Sequence, residues 1–285
     1  MMLQKIKRTI QRYQTEKTIK SLMNKGDKLS SAVGLAIQKT HKNLLTSSEL
    51  SVIDQILALR KKLHEENATV QFIDYGAGNP DDPLNFEDSQ QGKLQERTVQ
   101  MILDKGNLHS KYCLLLFHLI RAFNSSRVLE LGTSLGISAA YMGKGIQLNN
   151  PEGLLITLEG GEALAQMARE NFEVLDLSKI ISVHQGPFHK TLDDALKQVQ
   201  VIDFAFIDGH HDGHATLEYF EKVLKSCANT AVIVFDDIKW YASMREAWAK
   251  IINSPQVCLS LDCDVVGICV ISPSQETKNH YKLVL

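Results

Sequence analysis

Four apolar runs in this chain end on acids: V-L-E at Glu130, I-T-L-E at Glu159, F-I-D at Asp208, and V-F-D-D at Asp236 and Asp237. Short apolar runs bounded by turn residues are the pattern of strands buried in a parallel sheet. Ligands of open α/β sheets bind outside the carboxyl ends of the strands, near the topological switch point. Any one of these acids is equally well read as a cap on a strand-to-helix turn, but recurrence at four strand ends points to a site. Asp208, Asp236 and Asp237 together offer hard oxygen ligands that suit Mg²⁺, Mn²⁺ or Ca²⁺ better than zinc.

The first run continues as E-L-G-T-S-L-G-I-S, Glu130 to Ser138. Gly132 and Gly136 allow a tight turn and close backbone approach to a ligand. The helix that opens there directs free N–H groups at whatever lies above the turn. A dinucleotide fingerprint needs G-x-G-x-x-G, and position 134 is serine, which disfavours a nicotinamide dehydrogenase. A carboxylate beside the loop would repel a pyrophosphate and would suit an amino group, a sulfonium or a ribose hydroxyl. Glu159, ending the next strand, is placed to accept both hydroxyls of a ribose.

E-L-G-T-S-L-G-I-S followed by I-T-L-E-G resembles motif I and the following acid of class I S-adenosylmethionine-dependent methyltransferases. From Lys105 to Ile271 the chain resembles the catechol O-methyltransferase-like branch and its bacterial relatives, down to the preceding G-N-L-H-S-K-Y-C-L-L-L. The resemblance implies that Glu130 and Gly132 lie by the methionine part of S-adenosylmethionine and that Ser134 and Ser138 bond its polar end. It implies that Thr133 and Gly136 complete the loop, that Glu159 with Gly160 holds the ribose, and that Gly186, Pro187 and Phe188 flank the adenine. Asp208 would lie near the sulfonium. In that branch an Asp at the fourth strand and an Asp-Asn pair at the fifth hold a metal; Asp208 and Asp236 match, and Asp237 replaces the Asn. The same enzymes place a lysine base three residues after the first metal Asp. Here that position is His211, a base suited to neutral pH, and the change puts a catechol-type substrate in question. His211 can equally be a metal or cofactor contact, or part of a polar turn within D-G-H-H-D-G-H. His210 and His214 read as surface or capping residues. Trp240 reads either as a wall of the acceptor pocket or as a core aromatic.

These residues need elements to hold them. From about residue 99 helical patterns alternate with apolar runs, the signature of a parallel sheet with crossover helices. Strands are expected at Arg127–Leu131, Leu154–Leu158, Ile180–His184, Ile202–Ile207, Ala231–Phe235, Val257–Leu261 and Val265–Ile271. The expected fold is therefore α/β: a doubly wound, mostly parallel, Rossmann-like seven-stranded sheet with an antiparallel C-terminal strand and a helical N-terminal extension. The boundary falls between 1–98 and 99–285. Within the extension, Leu3, Ile6, Ile10 and Tyr13 share a helical face, as do Ile53, Ile56, Leu57 and Leu63. Val70–Tyr75 is a short apolar run, after which residues to 97 read as a polar, acidic loop. F-I-D-Y-G-A-G-N-P, Phe72 to Pro80, imitates a glycine loop. No amphipathic helix follows it at once, so it is expected to be a structural turn or a lid over the substrate rather than the cofactor loop.

The chain has 285 residues and a net charge of −2, which gives no overall pull toward nucleic acid. The bias is local: residues 1–28 carry Lys5, Lys7, Arg8, Arg12, Lys17, Lys20, Lys25 and Lys28 against Glu16 and Asp27. A basic face beside an apolar stripe suits an anionic membrane surface, a partner, or packing on the chain's own domain. The helical extension could also join two copies as a homodimer. Five cysteines without C-x-x-C spacing argue against a disulfide framework or zinc site and for a reducing, cytoplasmic setting. The sequence thus points to methyl transfer from S-adenosylmethionine to an oxygen of a small hydroxylated molecule, assisted by Mg²⁺, Mn²⁺ or Ca²⁺. Two other readings stay open: a metal-dependent enzyme of the same fold that does not methylate, and a catalytically silent cofactor-binding module.

Overall fold

The computed structural model describes residues 2–76, 78–79, 82–83, 91–105, 108–274 and 278–285; side chains are described from residue 11, except at 78–79, 82–83 and 105. Three helices open the chain: α1 (Met2–Met23), α2 (Lys28–Lys42) and α3 (Ser47–His64). Their ends are encoded locally. The Asp27 side chain accepts from Ser30 N at the start of α2, and Asn43 closes it in the left-handed conformation. Thr46 and Glu49 form a reciprocal capping box on α3.

Strand β1 (Thr69–Asp74) then pairs antiparallel with β4 (Lys93–Thr98), around the short pair β2 (Gly78–Asn79) and β3 (Asp82–Pro83). The polar loop expected up to residue 97 is thus in part a strand. K-L-Q-E-R-T escapes a hydrophobic reading because β4 has no fully buried residue.

The remaining chain builds α4 (Val99–Lys105), α5 (Ser110–Phe123), β5 (Arg127–Leu131), α6 (Ile137–Asn149), β6 (Leu154–Glu159), α7 (Glu162–Val174) and β7 (Ile181–Gln185). It continues through α8 (Phe188–Val199), β8 (Ile202–Ile207), α9 (Gly213–Lys225), β9 (Cys227–Phe235), α10 (Ala242–Ile252), β10 (Val257–Cys263), β11 (Val266–Ile271) and β12 (Asn279–Lys282). The sheet has eight strands in the order β12-β10-β11-β9-β8-β5-β6-β7. Strands β7, β6, β5, β8 and β9 run parallel, β11 is antiparallel to both its neighbours, and β10 and β12 are parallel to each other. The sequence predicts seven of them. The eighth, N-H-Y-K, is an edge strand with alternating exposure and carries no apolar run.

Side chains alternate across the sheet. Val128, Phe204, Phe206, Val232 and Val234 join the layer that includes α2, α3, α5 and α6. Leu129, Leu131, Ala205, Ile207, Ile233 and Phe235 join the layer of α8, α9 and α10. The N-terminal helices are part of the first layer. On α3 the inward face is Ile53, Ile56, Leu59 and Leu63, whereas Leu57, expected inward, is exposed. On α1 the inward residues are Thr15, Ile19 and Leu22; Tyr13 is exposed, and the side chains of Leu3, Ile6 and Ile10 lie outside the described residues. Tyr13 is the one member of that expected stripe whose side chain is described, and it points away from the core; Thr15 is buried, and its Oγ1 donates to the Val284 carbonyl at 2.7 Å. All five cysteines are free thiols, and among the described residues no helix is long and apolar enough to cross a membrane.

Candidate active site at the strand ends

Glu130 is fully buried. Alternation along β5 turns it to the same face as Val128, beneath the start of α6. Ser138 Oγ donates to Oε1 at 2.6 Å and Thr157 Oγ1 donates to Oε2 at 2.5 Å. Burial pushes the Glu130 carboxyl up to about 7, and Glu159 adds to the rise while the two hydroxyls oppose it. Among the described residues no cation figures in the groups that shift it. A carboxylate held in a dry site without a counter-charge is costly as an anion, and it fits a place that a cationic ligand would enter.

The loop after β5 needs its glycines. Gly132 has φ +106°, and a Cβ there would collide with the Asp208 carbonyl oxygen. Its N–H and that of Thr133 donate to the Leu158 carbonyl at 3.0 and 3.2 Å, tying the loop to β6. Gly136, at φ +80°, caps α6. Ser134 takes φ +48° and turns its N–H onto Glu159 Oε2 at 2.7 Å. Glu159 Oε1 accepts from Gly161 N at 2.8 Å. The carboxylate is thereby fixed at the loop mouth. Burial is the main cause that raises its pKa; Asp74 adds to the rise, and the N–H groups of Gly161 and Ser134 oppose it. The Glu159 carbonyl accepts from Gly186 N at 2.8 Å. Gly186, Pro187 and Phe188 therefore sit beside the same strand end, with Phe188 edge-on to Tyr219 at 5.8 Å.

The second half of the site lies at the ends of β8 and β9. Asp208 N donates to the Leu131 carbonyl at 2.9 Å and Asp236 N to the Ile207 carbonyl at 3.0 Å, so the acids are staggered across adjacent strand ends. Asp208 and Asp236 share a side-chain hydrogen bond. Burial first, and then the neighbouring acids, hold Asp208 well above the usual carboxylate range. Burial and Asp237 push Asp236 up to about 7, and its buried Oδ1 has no partner. His211 stands between the two groups: Nε2 is 3.8 Å from Asp208 Oδ1 and Nδ1 is 3.7 Å from Asp237 Oδ2. Burial lowers the His211 pKa while Asp237 and Asp74 raise it, with a net fall, so the ring is neutral at pH 7. His210, His211 and Asp237 all adopt positive φ, at 71°, 45° and 50°. Such conformations are uncommon for residues other than glycine, and they cluster where function over-determines the backbone.

Every residue expected at the site from Glu130 to Asp237 lies at these neighbouring strand ends. Some pairings were not expected. Ser138 is engaged with Glu130, and the Ser134 N–H with Glu159. His210 Nδ1 is 3.0 Å from the Tyr219 hydroxyl, His214 is exposed, and Asp212 is the residue that caps α9. Trp240 is 47% exposed, which overturns its reading as a core aromatic. Thr157 was missed, and Asp74 and Tyr75 were read only within the Phe72–Pro80 segment, as part of a structural turn or a lid over the substrate. Thr157 carries no signal beyond its place in a strand. Asp74 and Tyr75 arrive from the β1–β4 hairpin: Asp74 raises both Glu159 and His211 electrostatically, and the Tyr75 ring packs on Gly160. The signal for them was F-I-D-Y-G-A-G-N-P, whose Ala77 and Pro80 lie outside the described residues.

A parallel sheet with a glycine loop after its central strand, an acid at the next strand end and helices on both faces defines the Rossmann-like class of nucleoside-cofactor proteins. Residues 129–238 match the model of a family described as "methyltransferase domain". A catechol O-methyltransferase of Mycobacterium tuberculosis is 30% identical over 117 residues, covering 41% of this chain and 50% of that protein. The chain thus spans about half the length of that curated relative. Among solved structures, cofactor-bound Rv0187 from MTB superposes with TM-score 0.52 at 22% identity, over 61% of this chain and 84% of that one. The O-methyltransferase TomG from Streptomyces achromogenes, in complex with S-adenosylmethionine, gives 0.51 at 19% identity, over 58% and 82%. At such identities the structures speak for the fold. The domain match adds that residues 129–238 carry the pattern of a methyltransferase domain on that fold.

Proposed function

We propose that this chain transfers the methyl group of S-adenosylmethionine to an oxygen of a small hydroxylated molecule. The observation that carries the reading is the pairing of a buried Glu130, cation-free among the described residues, beside the glycine loop with a neutral His211 between Asp208 and Asp237. The first suits the cationic end of the cofactor, and the second suits an acceptor that must lose a proton.

In this reading Glu130, with Gly132, Thr133 and Gly136 shaping the loop, faces the amino end of the methionine part. Ser138 holds the Glu130 carboxylate in place. Glu159 accepts from the ribose hydroxyls, with Gly160 beneath. Gly186, Pro187 and Phe188 border the adenine. Methyl transfer is an in-line displacement: a bond forms between acceptor oxygen and methyl carbon as the bond from carbon to sulfur breaks. Positioning and electrostatics therefore make up most of what the protein supplies. His211 takes the acceptor proton, and Asp237 stabilises the imidazolium that results.

Asp208, Asp236 and Asp237 would be the residues to hold a divalent cation, and the buried, unpartnered Asp236 Oδ1 fits such a ligand. As the side chains stand, no group of three or more His, Cys, Asp or Glu among the described residues is gathered closely enough to hold an ion. Bound Mg²⁺ or Mn²⁺ would lower the pKa of the acceptor hydroxyl.

The test is a panel of hydroxylated small molecules read by S-adenosylhomocysteine release, with Mg²⁺ or with excess chelator, beside calorimetry of cofactor binding. The reading expects cofactor binding and acceptor-dependent release. Failure of S-adenosylmethionine to bind, or tight NADH binding in its place, overturns it. Full turnover in chelator removes the metal and leaves His211 as the base.

A further inference from the structure

We propose that the cavity between α2, α3 and α5, away from the strand-end site, binds a short aliphatic carboxylate. The cavity has a volume of about 110 Å³ and is lined by Lys39, Glu49, His118 and Arg121 on its polar side and by Leu35, Ala36 and Ala122 on its apolar side. Leu35 is 40% exposed, so the space reaches the surface.

The polar side has more donors than acceptors. Glu49 is buried, and its Oε1 is shared between two cations: Lys39 Nζ and Arg121 Nε both lie 3.4 Å away. Charge-assisted bonds close to about 2.7–2.9 Å when satisfied, so both cations are held loosely. Glu49 Oε2 is already taken by Thr46 N at 2.9 Å. Lys39 brings three N–H donors and Arg121 five; Arg121 Nη1 spends its bond on Asn149 Oδ1. His118 is 1% exposed, and neither ring nitrogen has a partner. Buried polar atoms without partners are rare in folded proteins and call for an explanation.

Charge and shape narrow the class of ligand. Two cations against one carboxylate leave a single positive charge, which a monoanion neutralises and a dianion overshoots. A carboxylate offers two acceptor oxygens, which meets the excess of N–H groups and gives His118 a partner. The apolar wall opposite suits a short alkyl tail.

The charged groups facing His118 are Lys39 on α2, Glu49 on α3 and Arg121 on its own helix. Burial first, and then Lys39, push its pKa down to about 4; Arg121 adds to the fall and Glu49 opposes it. A bound carboxylate would raise it, so binding should tighten as the pH falls below neutral.

The experiment uses the full chain without cofactor, with ¹⁵N-labelled histidine rings. Sodium acetate is titrated against sodium chloride at equal ionic strength. The expected result is a saturable shift of the His118 ring resonances and a raised His118 pKa with acetate, neither appearing with chloride. Lys39→Met should weaken acetate binding by about tenfold, the loss of one charge-assisted bond. If that variant does not fold, His118→Phe, which fills the space, should abolish the acetate-dependent rise in melting temperature. Shifts that fail to saturate, that chloride reproduces, or that persist in Lys39→Met overturn the proposal and leave ordered water as the occupant. The methyl-transfer reading stands or falls by a separate assay, because no cofactor is present.

Discussion

Replacing Glu130 by glutamine should stabilise the unliganded protein at alkaline pH while removing affinity for the cofactor. Glu130 is fully buried, and its carboxyl is pushed from an ordinary 4.5 up to about 7. A carboxyl whose folded pKa is raised contributes stability that is complete below the unfolded value. That stability is lost as the pH rises through the folded value, because the folded state must give up a proton it holds more tightly. The shift of about 2.5 units corresponds to roughly 3 kcal/mol. Between pH 4.5 and 7 wild-type stability should therefore decline by about that amount on account of this residue alone. Asp208 and Asp236 bend the curve the same way, so the measurement must be the difference between wild type and Glu130→Gln.

Glutamine has nearly the same shape and can accept from one hydroxyl and donate to the other, so it can keep contacts to Ser138 and Thr157 without the charge. Urea denaturation at pH 5 and pH 8 should show the two proteins alike at the lower pH. At the higher pH the variant should be more stable by up to about 3 kcal/mol. The same variant should bind S-adenosylmethionine more weakly at pH 8, since the anion that faces the cationic ligand is gone. A variant no more stable than wild type at pH 8 would refute the claim that Glu130 is a strained anion awaiting a cation. Unchanged cofactor affinity would move the cationic end of the ligand elsewhere.

Glu159→Ala should weaken cofactor binding by about 1.5–3 kcal/mol for each charge-assisted bond lost, read by calorimetry; unchanged affinity removes Glu159 from the ribose. Gly132→Ala should fail to fold or melt far lower, because φ is +106° and a Cβ meets the Asp208 carbonyl; a melt within a degree or two of wild type would show that the loop relaxes freely. Deleting residues 1–23 exposes the partners of Ile19 and Leu22, each worth about 1.5–3 kcal/mol when buried, so the shortened chain should lose several kcal/mol in denaturation, and no loss would mean that α1 merely rests on the surface. Membrane contact through residues 1–28 would show as pelleting with anionic but not neutral vesicles, reduced in Lys17→Gln/Lys20→Gln; equal pelleting with both vesicle types rules it out.

The glycine-loop side of the candidate site was legible as a strand, turn and helix because it is local. Glu130, Gly132, Gly136 and Ser138 belong to one strand, turn and helix, and Glu159 ends the strand that pairs with it in register, Glu130 opposite Thr157. Apolar runs reveal such strands because both their faces are buried. Legibility failed where burial is partial or contacts are distant. β4 and β12 pair through their backbones with polar, half-exposed side chains, so no hydrophobic period announces them. The same failure hid the hairpin. Its strands β1 and β4 are paired across the acidic segment, Thr69 opposite Thr98 and Asp74 opposite Lys93, and the glycine run that imitates a cofactor loop continues from the end of β1. With its fold unread, F-I-D-Y-G lacked the strand–turn–helix setting of a real loop, and a structural turn or a lid over the substrate were the alternatives. The end of β1 instead brings Asp74 and Tyr75 to the rim of the cofactor-like loop after β5. The resemblance covers residues 105–271 and contains neither residue. The extension thus adds to the site a ring on Gly160 and a carboxylate whose field reaches both Glu159 and His211. Acceptor choice should then follow the hairpin as much as the strand ends, because Asp74 is the described extension residue whose field reaches both.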